Sequence, residues 1–163
     1  ISMQAARHGL DLIQLHGNES PAAMQSLRRS LRAGSLHGVR LIKALHVASA
    51  SDLQGWAAYA DCADFLLFDT KCPTAGGSGR QFDWTALDSY DGSLPFLLSG
   101  GIGPDDADRI AGLCHPMMAG IDINSRFETA PAVKDAALIG RFIGRLRSAK
   151  TTTQTQRLKQ NKT

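Results

Sequence analysis

An apolar run, Phe65-Leu66-Leu67-Phe68, ends on Asp69, and a loop holding Gly76, Gly77, Ser78 and Gly79 leads on to Asp83 and Trp84. A carboxylate closing a strand, then a long polar loop, then an aspartate placed to cap a helix, is how a parallel α/β barrel builds a catalytic corner. A second glycine pair, Gly100-Gly101, follows the apolar stretch Pro95–Ser99 and would let backbone approach a ligand closely. These residue types fit proton transfer by a carboxylate and anion binding by backbone N–H groups. Each also has a plainer reading: Asp69 as a helix cap or ion-pair partner, Gly100-Gly101 as a turn.

The elements that would position these residues alternate between short apolar strands and helical spacing, the pattern of parallel βα units. Strands are predicted over 10–15, 39–45, 65–69, 95–99 and 117–123. Ser20 is placed as an N-cap with Pro21 at the first helical position and Gly34 as the stop, and Met24, Leu27 and Leu31 recur on one face. Further helices are predicted from Ser51, with a stripe of Leu53, Trp56, Ala57 and Ala60, from Trp84, over 105–113 and over 133–147. No internal linker or second domain is visible. The chain divides into a βα body over 1–149 and a disordered polar, basic tail over 150–163.

Composition bounds the function. The 163 residues are 43% hydrophobic and 20% charged, ordinary for a globular domain. They are fewer than the roughly 200 of a complete eight-stranded barrel. No apolar run reaches the ~18 residues of a membrane helix, and no signal peptide is visible. Opening on Ile1 suggests an internal piece of a longer protein. Cys62, Cys72 and Cys114 are odd in number and lack CxxC spacing, which points to a reducing, cytoplasmic setting and away from disulfides or zinc fingers. The net charge of +3 is unevenly spread. From Arg141 on there are seven bases and no acid, so residues 1–140 hold 11 bases against 15 acids, a net −4. The basic end lacks interleaved aromatics and reads as a solvated terminus, with nucleic acid and membrane not expected as partners.

The strand ends carry a resemblance. Leu12-Ile13-Gln14-Leu15-His16-Gly17, Leu41-Ile42-Lys43-Ala44, Asp69-Thr70-Lys71 with Gly76-Gly77-Ser78-Gly79 and Phe82-Asp83-Trp84, Leu97-Leu98-Ser99-Gly100-Gly101-Ile102, and Gly120-Ile121-Asp122-Ile123-Asn124-Ser125 occur in this order. Together they resemble strands four to eight of phosphoribosylanthranilate isomerase, from about residue 5 to 147. The resemblance implies a (β/α)8 TIM barrel, present here as about five βα units without the first three strands. It implies an intramolecular Amadori rearrangement in tryptophan biosynthesis that turns N-(5'-phosphoribosyl)anthranilate into 1-(o-carboxyphenylamino)-1-deoxyribulose 5-phosphate. No cofactor or metal is expected, because proton transfer alone carries the reaction.

By resemblance Asp69 is the general acid for furanose opening, a task that calls for a raised carboxyl pKa. Gly100, Gly101, Asn124, Ser125 and Arg126 would surround the phosphate. Asp122 would approach the sugar hydroxyls and amine, or only orient its loop. Lys43 would lend positive potential at the barrel mouth, or be spent in an ion pair. Gly77, Ser78 and Gly79 would form a flap over the substrate. Two departures stand out: Arg126, where many relatives have Gly, could grip phosphate bidentately or be a surface residue; and Pro131-Ala132 replaces Pro-Gly. The family's general base is a Cys in a Lys-x-Cys-Gly stretch, absent from this sequence. Neither Cys72 nor His16, which ends a strand at the active face, is a convincing substitute. The isolated chain is therefore expected to be inactive, with association with, or fusion to, other tryptophan-pathway enzymes possible. The alternatives are a non-catalytic half-barrel that binds phosphorylated sugars and a different phosphate-binding barrel of the same pathway.

Overall fold

The structure, a computed structural model, describes residues 1–70 and 81–160, with backbone alone from 152 onward. Five strands form one parallel sheet: β1 (Leu12–Leu15), β2 (Arg40–Val47), β3 (Phe65–Thr70), β4 (Phe96–Leu98) and β5 (Met118–Ile121). Each pairs with the next in chain order, giving β1-β2-β3-β4-β5 without reversal. A doubly wound open sheet reverses its strand order at a switch point. Unbroken sequential order with crossover connections is the winding of a TIM barrel, and the chain is five successive units of that winding.

Between β1 and β2 the local signals act as their chemistry dictates. The Ser20 hydroxyl accepts from the Ala23 N–H at 3.2 Å, and α2 runs Pro21–Ala33 before Gly34, burying Met24 and Leu31. The other connections are less helical than their spacing predicts. After β2 comes only a short α3 (Ala50–Leu53), and Gln54–Tyr59 tightens into a 3₁₀ turn. Gly55 lies inside that stretch, where glycine weakens an α-helix by roughly 1 kcal/mol relative to alanine. Asp83 does cap, its carboxylate accepting from the Thr85 N–H at 3.0 Å, yet Trp84–Ser89 is again 3₁₀. Pro104–Asp106 makes one 3₁₀ turn ahead of α4 (Ala107–Gly112).

Three elements depart from the sequence reading. A first helix, α1 (Ser2–His8), precedes the sheet and ends at Gly9, whose φ of 58° suits glycine. An antiparallel hairpin, β6 (Glu128–Ala130) with β7 (Val133–Lys134), occupies the start of the predicted last helix. Pro131 and Ala132 (φ 64°) make its turn. The helix therefore begins only at Ala136, with the Asp135 carboxylate accepting from the Leu138 N–H at 2.9 Å. That helix, α5, then runs to Gln160, beyond the predicted end at Arg147. No Gly or Pro interrupts the segment from Arg145 onward.

The sheet's two faces differ. Toward the helices, Phe68, Phe96 and Leu98 pack with Trp84, Tyr90, Phe127 and Phe142, all buried. Ile13, Leu15 and Leu41 meet Ala5, Met24 and Leu31 on the same side. The opposite face is thinner: Ile42, Ala44 and Leu67, with half-buried Phe65 and Leu97. Among the described residues no helix is long and apolar enough to cross a membrane.

Phe68 is the hub of the aromatic cluster, its ring 4.9 Å from Phe96 and 5.1 Å from Tyr90. Phe68→Ala is expected to cost about 3–5 kcal/mol, read as a lower urea midpoint. A loss under about 1 kcal/mol would show that the cluster is not the core of the fold.

Candidate active site

Alternation along the strands sends every second side chain to the thin inner face, and at the C-terminal strand ends that face turns polar. Asp69 follows Phe65 and Leu67 on β3. His46 follows Ile42 and Ala44 on β2 and stands directly opposite Asp69 in the register. His16 follows the last residue of β1. The Asp69 carboxylate accepts the Thr70 N–H through Oδ1 at 2.9 Å and lies 3.3 Å from His16 Nε2 through Oδ2. The rings of His16 and His46 are 5.3 Å apart, and the Gln14 amide is 3.0 Å from His16 Nδ1. Asp69 is 23% exposed and His16 44%, so the acid is partly sheltered and the imidazole stands at its open side. The sequence reading singled out Asp69 and noted His16 only as a strand-end residue at the active face. It missed His46, although counting by twos from Ile42 along β2 reaches it.

The loop after β4 carries two residues in left-handed conformation, Gly100 (φ 89°) and Gly101 (φ 65°). A Cβ on Gly100 would sit 2.3 Å from Thr70 Oγ1 and 2.5 Å from Thr70 N, so the close approach there is to β3 itself. Thr70 Oγ1 also accepts from the Phe82 N–H at 3.2 Å. Gln81 donates to the Gly101 carbonyl at 3.0 Å and to Asp106 at 2.6 Å, and Asp106 accepts the Gly103 N–H at 2.7 Å. Gln81 and Phe82 are thus fastened to the glycine loop and to Thr70. Gly77, Ser78, Gly79 and Cys72 lie outside the described residues.

After β5, the Asp122 carboxylate accepts from the Ser99 hydroxyl at 3.0 Å and its N–H donates to the Leu98 carbonyl at 2.8 Å. These contacts tie the β4 and β5 loops together. Asn124, Ser125 and Arg126 are exposed, with Ser125–Phe127 forming a single 3₁₀ turn. Lys134 donates to both Asn124 and Glu128, which holds the Glu128 carboxyl below its usual range. The Arg126 side chain lies across Gly103, where a Cβ would be 2.7 Å from its Nε.

Lys43 is placed differently from the expected mouth-facing cation. It shares the helix-facing side with Leu41 and is only 2% exposed. Its ammonium donates to the Gly17 carbonyl at 2.6 Å and to Glu19 at 2.9 Å, and it stands 5.6 Å from the centre of the Tyr59 ring. Glu19 also accepts the Gly17 N–H at 3.0 Å. A charge this deep must be paired, and the alternative weighed from sequence, an ion pair, is the one the geometry gives. The two described cysteines precede strands, Cys62 before β3 and Cys114 before β5, and so sit at the end of the sheet away from Asp69. Burial pushes the Cys62 thiol up, which disfavours a thiolate.

The family model for N-(5'-phosphoribosyl)anthranilate (PRA) isomerase matches residues 1–145. An N-(5'-phosphoribosyl)anthranilate isomerase of Parabacteroides distasonis is 44% identical over 140 residues, covering 86% of this chain and 60% of its own length. One from Phocaeicola vulgatus is 43% identical over 147 residues, covering 90% of this chain and 68% of its own. The crystal structure of the Thermus thermophilus phosphoribosyl anthranilate isomerase superposes with a TM-score of 0.70 at 27% identity, covering 90% of this chain and 65% of that one. The chain thus spans between three-fifths and about two-thirds of the length of these relatives.

Glu19 is the test of the Lys43 arrangement. The hydrogen bond from Lys43 lowers its carboxyl pKa from the ordinary 4.5, so its stabilising effect is full above pH 4.5 and disappears as pH falls through the lowered value. Glu19→Gln should cost about 1–3 kcal/mol at pH 7, and the gap to the parent protein should close on acidification, as measured by urea unfolding between pH 7 and 3. A gap independent of pH would show that the pair does not operate.

Proposed function

The chain belongs to the N-(5'-phosphoribosyl)anthranilate isomerase family, and from that premise we propose that it supplies the general acid and the phosphate-binding loops of this isomerase. The reaction is the Amadori rearrangement of N-(5'-phosphoribosyl)anthranilate in tryptophan biosynthesis, in the cytoplasm. Asp69 carries the proposal: a carboxylate at the end of the third strand of the sheet, held by Thr70 through Oδ1 and facing His16 through Oδ2. With a proton on Oδ2, Asp69 can hand that proton to the furanose oxygen as the ring opens, after which a base must take the proton at the sugar's C2. His16, against the same oxygen, orients the carboxyl group.

The phosphate belongs between the Gly100–Gly101 loop and the exposed Asn124, Ser125 and Arg126, the two loops a TIM barrel uses for phosphate. Asp122 and Ser99 fix these loops relative to each other. Substrate contact through Lys43 has little support, because its ammonium is already satisfied on the other face. The base is not among these residues: no Lys-x-Cys-Gly stretch occurs, and Cys62 and Cys114 lie away from Asp69. Alone, the chain binds phosphorylated sugar without turning it over; joined covalently or by association to the segment that carries the base, it is an enzyme.

The test joins this chain behind the segment that precedes the matching region in the Parabacteroides distasonis relative and measures isomerisation of N-(5'-phosphoribosyl)anthranilate. Turnover is expected in the joined protein and not in the chain alone. Asp69→Asn in the joined protein should lower kcat by roughly 10²- to 10⁴-fold with little change in affinity for phosphorylated sugar. Full turnover in that variant would remove Asp69 as the acid.

A further inference from the structure

We propose that His16, His46 and Asp69 form a binding site for a divalent transition cation of the zinc class. One donor atom from each residue lies within 4.8 Å of the others, and this is the one such group of three among the described residues. Two imidazole nitrogens and one carboxylate oxygen, with a fourth position left open, is the donor set of three-ligand zinc sites. The same set disfavours calcium and magnesium, which take oxygen ligands.

The geometry needs little adjustment. Bonds of about 2.0–2.1 Å around a tetrahedral ion place donor atoms about 3.3 Å apart. His16 Nε2 and Asp69 Oδ2 already stand 3.3 Å apart. Only the His46 ring has to turn inward, and His46 is exposed, with its ring 5.3 Å from that of His16. Its backbone is fixed, because His46 and Asp69 are register partners on hydrogen-bonded strands.

Outer partners suit the ligands as well. Thr70 occupies Asp69 Oδ1 and leaves Oδ2 for the ion. Gln14 lies 3.0 Å from His16 Nδ1. An amide can present either its nitrogen or its oxygen there. With the oxygen turned in, it accepts the Nδ1 proton and leaves the Nε2 lone pair to the cation, the outer arrangement usual for metal-binding histidines. Among the described residues, none of the three is hydrogen-bonded or ion-paired to a Lys or Arg that would repel a cation. Lys43, the nearest buried base along β2, is neutralised by Glu19 on the other face.

The site goes beyond the isomerase reading. If Asp69 is the acid, the ion takes the oxygen the acid would use, so the cation is an inhibitor and not a cofactor.

The test is direct binding to the 163-residue chain, prepared without a histidine tag. Zinc is titrated by calorimetry, and cobalt(II) is followed by its visible absorption. One ion per chain is expected, with the strong absorption of tetrahedral cobalt. His46→Ala and Asp69→Asn should each weaken binding by more than about 100-fold, beyond what loss of an outer partner costs. His37→Ala, an exposed histidine elsewhere, should change nothing. His46 is exposed, so its replacement leaves the core intact, and an unchanged circular dichroism spectrum checks this; His46→Gln provides a second variant. Binding that survives in the His46 and Asp69 variants puts the ion elsewhere and overturns the proposal, as does the absence of binding to the parent chain at millimolar zinc. Neither outcome depends on turnover, so the isomerase reading stands or falls separately.

Discussion

The register between β2 and β3 decides what this molecule can do. Pairing His46 with Asp69 and Lys43 with Leu66 sorts neighbouring residues into opposite layers. Phe68 goes to the aromatic core and Asp69, one residue on, to the inner face. Lys43 goes to the helix side and His46, three residues on, to the mouth. A slip of one residue would exchange the faces, burying the Asp69 carboxylate among Tyr90 and Phe96 and leaving Phe68 in water. The rigid core around Phe68 therefore does more than stabilise: it is the reference that fixes which way the acid points.

That constraint also explains why buried polar groups cluster just behind the mouth. Each strand must turn out of the sheet at its C-terminal end, and the turns bring backbone close to backbone. Gly100 packs so tightly on Thr70 that no Cβ fits. Thr70 then serves three neighbours, offering its N–H to Asp69, its Oγ1 to the Phe82 N–H and its bulk to Gly100. The acid and the glycine loop are thereby joined through one residue, and Gln81 adds a second tie to the Gly101 carbonyl. Lys43 does the corresponding work on the other side of the sheet, drawing Gly17 and Glu19 against β2 so that His16, the preceding residue, is held near Asp69.

Much of this is written in the sequence, but unevenly. Five strands and the α2 boundaries follow from patterning and from the Ser20, Pro21 and Gly34 signals, because these are local rules that the barrel does not oppose; the unbroken strand order followed only from the resemblance to a barrel family. Helix type between strands was less legible. The stretches that hold Gly55 and Pro104 tighten into 3₁₀ turns, and residue spacing alone does not separate that form from an α-helix. The β6–β7 hairpin was hidden because Val133 and Lys134 fit a helical stripe as well as a strand, and only the turn at Pro131 and Ala132 distinguishes them. Asp69 was found through its strand-end position and the family wording around it. The side to which Lys43 points could have been read by counting from Leu41, a buried helix-facing position, but a basic residue near a strand end invites a mouth-facing reading. The partnership of His16 with His46 is tertiary, since it joins residues thirty positions apart.

A mouth built in this way concentrates more chemistry than one reaction uses. The inner face is apolar through Ile42, Ala44 and Leu67 and turns polar toward the C-terminal ends of the first three strands, at Gln14, His16, His46 and Asp69. Whatever polar residues occur there are necessarily brought together, on backbones too stiff to separate. Asp69 can therefore face both a sugar oxygen and two imidazoles, and its Oδ2 cannot serve a proton and a metal ion at once. His16 belongs to both arrangements, because the same 3.3 Å contact orients the acid and supplies the first pair of ligand atoms. His46 is different. Its ring stands 5.3 Å from that of His16 and its backbone pairs in register with Asp69, which places it on the acid's side of the mouth.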